Sequence, residues 1–256
     1  MPAPSYGEWV DDVDDALFTR AWLEENRVER SPEPADVTRI VVALDPADGS
    51  GGAGAEQALC AACITHRGHV YILRSSGERS SPLQWLKRAI RVAQALGATI
   101  IVEDTGYGRP LMELLEQAMT EAGRVPYQAV HAQQSKRLRA QDAAILAETG
   151  KLHLVGRQHD LLEDQMCTWV EGEKSPDRFD AMAHAVRELL KSGGGGEVAG
   201  RAVPYTVRRV EGGAVPWEGD PVGGLFASAE GTRVLQAERQ LDPHELAWLG
   251  LTRWLT

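Results

Sequence analysis

Cysteine is scarce: Cys60, Cys63 and Cys167 are the only three in 256 residues. They are too few, and odd in number, for a disulfide framework, which points to a reducing compartment. No apolar run approaches the ~20 residues that a bilayer-spanning helix needs. The N-terminus also lacks the basic-then-apolar order of a secretory signal, so a soluble intracellular chain without a membrane partner is expected. Basic residues are in deficit, with 27 Lys and Arg against 37 Asp and Glu and a net charge of -10, a balance that by itself argues against nucleic acid as a partner. A phosphate-binding Gly-x-x-x-x-Gly-Lys-[Ser/Thr] is missing. The nearest stretch, Gly49–Gly54, runs into Ala55 and Glu56 and so has neither the lysine nor the hydroxyl. The same stretch spells Gly-x-Gly-x-x-Gly, but a strand pattern follows it and position 74 is Arg. A dinucleotide loop would open a helix and meet an acid about 20 residues on.

What is present is enough for a core, since 43% of the residues are hydrophobic and 25% charged. The acidic excess is uneven. Residues 1–38 carry 10 acidic and 3 basic side chains, whereas residues 39–192 carry 19 and 18, so the middle of the chain is nearly neutral and can hold a basic groove on one face. Three segments follow: an acidic arm (1–38), a central domain (39–192) and an extension (193–256) that begins at the linker Gly193–Gly196. In the arm, Trp9, Val13, Leu17, Trp22 and Leu23 predict an amphipathic helix, ended by Ser31-Pro32-Glu33-Pro34.

The central domain opens on a buried strand at 39–45, followed by strands at 56–65 and 69–75 that flank His66-Arg67-Gly68 as an antiparallel hairpin. Ser81 and Pro82 start a helix that Gly97 closes. A strand is predicted at 98–103, a helix at 110–121 and a strand at 125–131. A helix at 138–148, an extended piece at 151–155 and helices at 161–169 and 179–190 complete the domain. The fold class is α/β: three antiparallel opening strands, then parallel strands joined by crossover helices. In the extension, 205–210 reads as a strand and Asp242-Pro243-His244-Glu245 as a helix start.

Three carboxylates fall at equivalent places in this order. Asp45 ends the first strand, Glu103 ends the fourth, and Asp180 lies in the first turn of the last helix. Each alone is equally a strand-end or capping acid. Together, at the carboxyl ends of neighbouring strands, they repel one another unless protonated or shared by hard cations, and an all-oxygen set favours Mg²⁺ or Mn²⁺ over Zn²⁺. Cys60 and Cys63 have no second pair and face opposite sides of a strand, so they read as buried apolar residues and not as a zinc site.

These residues carry a resemblance. Asp45-Pro46-Ala47, Ile100-Ile101-Val102-Glu103-Asp104 and Ser175-Pro176-Asp177-Arg178-Phe179-Asp180-Ala181 resemble the three acidic motifs of the nuclease domain of tailed-bacteriophage large terminase subunits. Lys136-Arg137-Leu138-Arg139-Ala140, followed by Gly150-Lys151-Leu152-His153-Leu154, is similar to the basic segment and short strand ahead of the third motif. The likeness covers roughly residues 39–191. It implies a ribonuclease H-like mixed sheet flanked by helices, and an endonuclease that cuts double-stranded concatemeric DNA in the bacterial host cytoplasm. The implied mechanism is two-metal-ion phosphodiester hydrolysis with two Mg²⁺ or Mn²⁺ ions, held by Asp45, Glu103 and Asp180, with Asp45 bridging both. Implied partners are DNA, the terminase ATPase motor domain, the portal and the small terminase subunit. The motor domain of a complete large terminase is absent from this sequence.

Around the ligands, Asp177 reads as a supporting acid or an N-cap. Asp104 must point away from Glu103 if the strand continues. His184, one turn after Asp180, orients a ligand, approaches the second metal or is simply a packed, hydrogen-bonded histidine, the commoner outcome for such a residue. Lys136, Arg137 and Arg139, in a Ser/Gln-rich connection, are the candidates for DNA phosphate contact. Two alternatives share these residues: a Holliday-junction-type resolvase on the same fold, and a non-cutting module that docks a portal or motor. Trp9, Trp22, Trp248 and Trp254 lie outside the central block and suit such docking, in which case residues 36–192 fold alone; otherwise the terminal segments pack on the sheet.

Overall fold

The computed structural model of the chain describes residues 13, 15–46, 56–103, 108–130, 136–193, 206–207 and 217–218. In order the elements are α1 (Arg20–Glu25), β1 (Val37–Asp45), β2 (Gln57–Thr65), β3 (Val70–Glu78), α2 (Pro82–Leu96), β4 (Thr99–Glu103) and α3 (Gly108–Ala122). After these come β5 (Tyr127–Val130), α4 (Lys136–Glu148), β6 (Leu152–Leu154), α5 (Asp160–Thr168) and α6 (Asp177–Gly193). A separate two-stranded ladder pairs β7 (Thr206–Val207) with β8 (Trp217–Glu218).

The six main strands form one sheet in the order β5-β4-β1-β2-β3-β6. β2 is antiparallel to both β1 and β3. The pairs β1–β4, β4–β5 and β3–β6 are parallel, as their helical crossovers require. Every residue of β2 is buried, which is why that strand reads as a continuous apolar run instead of an alternating one.

Period-two alternation divides the core. Val41 and Ala43 of β1, Ala58, Cys60 and Ala62 of β2, and Ile101 of β4 face α4, α5 and α6. Ile40, Val42 and Leu44, with Leu59, Cys63, Ile100 and Val102, face α2 and α3. Cys60 and Cys63 therefore lie on opposite faces, and burial raises both thiols above their ordinary range, Cys63 to about 12. α6 crosses β1, β2 and β3, while α4 and α5 flank it. On the other face α2 is bounded as its sequence reads: the Ser81 side chain accepts the Gln84 N–H, Pro82 opens the helix, and Gly97 adopts φ 59 to close it.

Two expectations are corrected. The amphipathic pattern from Trp9 to Leu23 is not one helix. Asp15 takes a positive φ of 71, Thr19 caps the chain anew by accepting the Trp22 N–H at 3.3 Å, and among the described residues of this stretch the helix is Arg20–Glu25. Trp9 lies outside the described residues. Nor do Lys136, Arg137 and Arg139 lie in a connection, because α4 begins at Lys136 and takes all three into its first turns. Residues 15–31 pack with the sheet: Phe18 and Leu23 are 0% and 2% exposed in the α6-side core, and Trp22 packs against it. Val28 bridges Val155 beside the β6 edge, and Arg27 makes a paired contact with Glu163, both side chains buried. The predicted strand at 205–210 is limited to Thr206–Val207 among the described residues, and the helix start at Asp242 lies outside them.

Candidate metal centre

Strand register and side-chain parity build the site. β1 and β4 pair in parallel from Val41↔Thr99 to Leu44↔Val102, so the next rung brings Asp45 beside Glu103, about 4.8 Å away along the sheet. Asp45 continues the alternation of Val41 and Ala43, and Glu103 that of Ile101, all of which face α6. Both carboxylates thus leave the sheet on the α6 side, at its carboxyl end. Glu103 pairs in turn with Val130 of β5.

Asp180 comes from the first turn of α6, the helix laid across β1, β2 and β3 on that face of the sheet. The hydroxyl of Ser175, itself 4% exposed, donates to Asp180 Oδ1 at 2.5 Å. The helix start is held from both sides. Gln165 Oε1 of α5 accepts the Phe179 N–H at 3.1 Å, and Asp177 Oδ2 accepts the Glu56 N–H at 2.7 Å, just ahead of β2. Asp177 is thereby engaged with the backbone just ahead of β2. His184 is buried one turn below Asp180, at 5% exposure. Asp104 lies outside the described residues. Among the described residues, no group of three or more His, Cys, Asp or Glu side chains is gathered at metal-binding spacing. Asp45 and Glu103 lie at neighbouring strand ends, and Asp180 lies at the start of the helix that crosses the same face of the sheet.

α4 starts at the same end of the sheet. Five residues separate the end of β5, at Val130, from Lys136, a reach of at most about 22 Å. α4 then packs on α6. Lys136, Arg137 and Arg139 are therefore carried on the acid-bearing face, near the acid-bearing end. Ser175, Glu56, Gln165 and Arg178 are the residues around this site that sequence reasoning passed over. Only Ser175 left a signal, a hydroxyl residue before a proline five positions ahead of Asp180.

A mixed sheet in this strand order, flanked by helices on both faces, is a ribonuclease H-like nuclease fold. The family model of the terminase RNaseH-like domain matches residues 42–189, more than half of the chain, and the chain belongs to that family. No curated protein matches it. Among solved structures, the human cytomegalovirus terminase nuclease domain, Mn-soaked and inhibitor-bound, is similar at 14% identity and a TM-score of 0.54 over 68% of this chain and 95% of that one. The same viral domain in another structure gives 15%, 0.54, 66% and 93%. The large terminase nuclease from thermophilic phage G20c with bound magnesium gives 12%, 0.45, 69% and 98%. Among the described residues, no helix is long and apolar enough to cross a membrane.

Proposed function

We propose that this chain is the metal-dependent endonuclease domain of a viral DNA-packaging terminase, cutting double-stranded concatemeric DNA in the bacterial host cytoplasm. One observation carries the reading: the β1–β4 register sets Asp45 beside Glu103 on the face crossed by the helix that bears Asp180, in a chain of the terminase RNaseH-like family. The donor set fits the implied ions. Three carboxylates and no imidazole or thiolate at these positions suit hard divalent cations, and like charges at adjacent rungs need such cations to coexist. The manganese soak of the cytomegalovirus domain supports the same choice.

In this reading Asp45, Glu103 and Asp180 would hold two Mg²⁺ or Mn²⁺ ions. When bound, such a pair activates water and stabilises the leaving oxygen of a phosphodiester. The protein's own part is positioning. Ser175 fixes one oxygen of Asp180 and so orients its carboxylate. His184 supports Asp180 from below, and Asp177 holds the helix start. Lys136, Arg137 and Arg139 bind backbone phosphates and set the register of the duplex without reading bases. The ATPase motor, the portal and the small terminase subunit are the partners of this activity, and residues 193–256 form a separate extension.

The test is incubation of the whole chain with supercoiled plasmid in Mn²⁺, in Mg²⁺ or with chelator, beside Asp45→Ala. Nicking and linearisation that need the metal and vanish in Asp45→Ala are expected. A fully active Asp45→Ala protein contradicts the assignment. Preferential cutting of four-way junctions over linear duplex replaces it with the resolvase reading.

A further inference from the structure

The start of α6 is fastened to β2 and β3 by groups outside the metal-binding set. Arg178 places Nε and Nη2 each 3.3 Å from Glu56 Oε2 and donates from Nη2 to the Gly77 carbonyl at 3.2 Å. Its neighbour Asp177 takes the N–H of the same Glu56. The guanidinium is 13% exposed and the carboxylate 30%, so the pair is shielded better than a surface ion pair. Gly77 makes room for it: a Cβ there would stand 2.2 Å from Glu56 Oε2 and 2.9 Å from Arg178 Nε. Two residues past Glu56, Ala58 pairs with Asp45. Two residues past Arg178 stands Asp180. One ion pair thus links the strand beside one candidate ligand to the helical turn carrying another.

We propose that Arg178 and Glu56 form a positioning clamp that sets the separation of Asp180 from the Asp45–Glu103 rung. The proposal rests on the metal-site reading above. Neither residue is assigned a bond to metal or DNA. Each acts through the backbone it pins, as groups behind metal ligands commonly do, and the loss of such a group costs about 10–100-fold in metal affinity.

The test uses the full chain and Mn²⁺ alone, reading the concentration that half-saturates the metal-induced rise in melting temperature. Arg178→Ala removes the clamp. Gly77→Ala keeps both charges and displaces them with a methyl group, and so serves as the second probe should Arg178→Ala fold poorly. The half-saturating concentration is expected to rise at least about tenfold in both, while melting in chelator changes by only a few degrees. Arg178→Lys, which keeps the charge but lacks the fork, should fall between wild type and Arg178→Ala. A wild-type response preserved in the folded variants overturns the clamp alone. A wild-type chain that ignores Mn²⁺ overturns the metal site and the clamp with it.

Discussion

Phe18→Ala asks how far the metal site depends on residues before the sheet. Phe18 is fully buried, and its ring meets Phe179 edge-on, with centroids 6.0 Å apart and planes at 90°. Phe179 also contacts Trp169 at 4.9 Å and immediately precedes Asp180. Truncating a buried phenylalanine costs about 3–5 kcal/mol, of which the ring pair supplies about 1. Against a total stability of about 5–15 kcal/mol for a domain, that is a large fraction. In equilibrium urea unfolding followed by tryptophan fluorescence, Phe18→Ala should lose about 4 kcal/mol without a change in slope, and Phe18→Leu about 1. A loss under about 1 kcal/mol for Phe18→Ala would refute the claim that residues 15–31 complete the core. The same reasoning reverses an expectation drawn from the tryptophan pattern: residues 36–192 alone lack Phe18 and Leu23 and should not melt cooperatively.

Ser175→Ala should weaken Mn²⁺ binding about 10–100-fold by calorimetric titration, with Ser175→Thr restoring most of it, because the hydroxyl fixes one oxygen of Asp180. Replacing Lys136, Arg137 and Arg139 together with alanine should weaken DNA binding alike across sequences and flatten the log-log salt dependence by nearly 3 units if all three meet phosphate, as measured by fluorescence anisotropy. Burial holds His159 down to about 4, with Val155 carbonyl accepting its Nε2–H at 3.1 Å. The unfolded chain binds that proton near pH 6.5, so the stability linked to neutral His159 is complete above about 6.5 and lost as pH falls to about 4. The change amounts to about 3 kcal/mol, and urea midpoints across this range should show it, with a flatter profile in His159→Gln.

Local signals carried much of this architecture. The buried runs of β1 and β4 end on Asp45 and Glu103 because apolar strands stop where a carboxylate can no longer be covered. The Ser81, Pro82 and Gly97 boundaries of α2 follow from backbone chemistry alone. Parity, once the strands are paired, brings Asp45 and Glu103 to one face. What stayed hidden depends on distant partners. The positive φ of Asp15 interrupts an amphipathic pattern that continues through it in sequence. Phe18 shows no sign of its place beside Phe179 until α6 is laid across the sheet. α4 begins at Lys136, two residues earlier than its first apolar residue, Leu138, which is itself 47% exposed, because the polar residues ahead of it carry no apolar period to mark the start. Glu56 and Arg178 are separated by 122 positions, and only the docking of α6 on β2 brings them together.

The most direct measurement of the central claim is anomalous scattering from crystals of the whole chain grown with Mn²⁺. Asp45, Glu103 and Asp180 sharing divalent ions predicts manganese peaks within about 2.5 Å of oxygens from all three side chains, and their loss in Asp45→Ala crystals. Manganese bound elsewhere, or a map without peaks between β1, β4 and the start of α6 while the protein still nicks DNA, would contradict it.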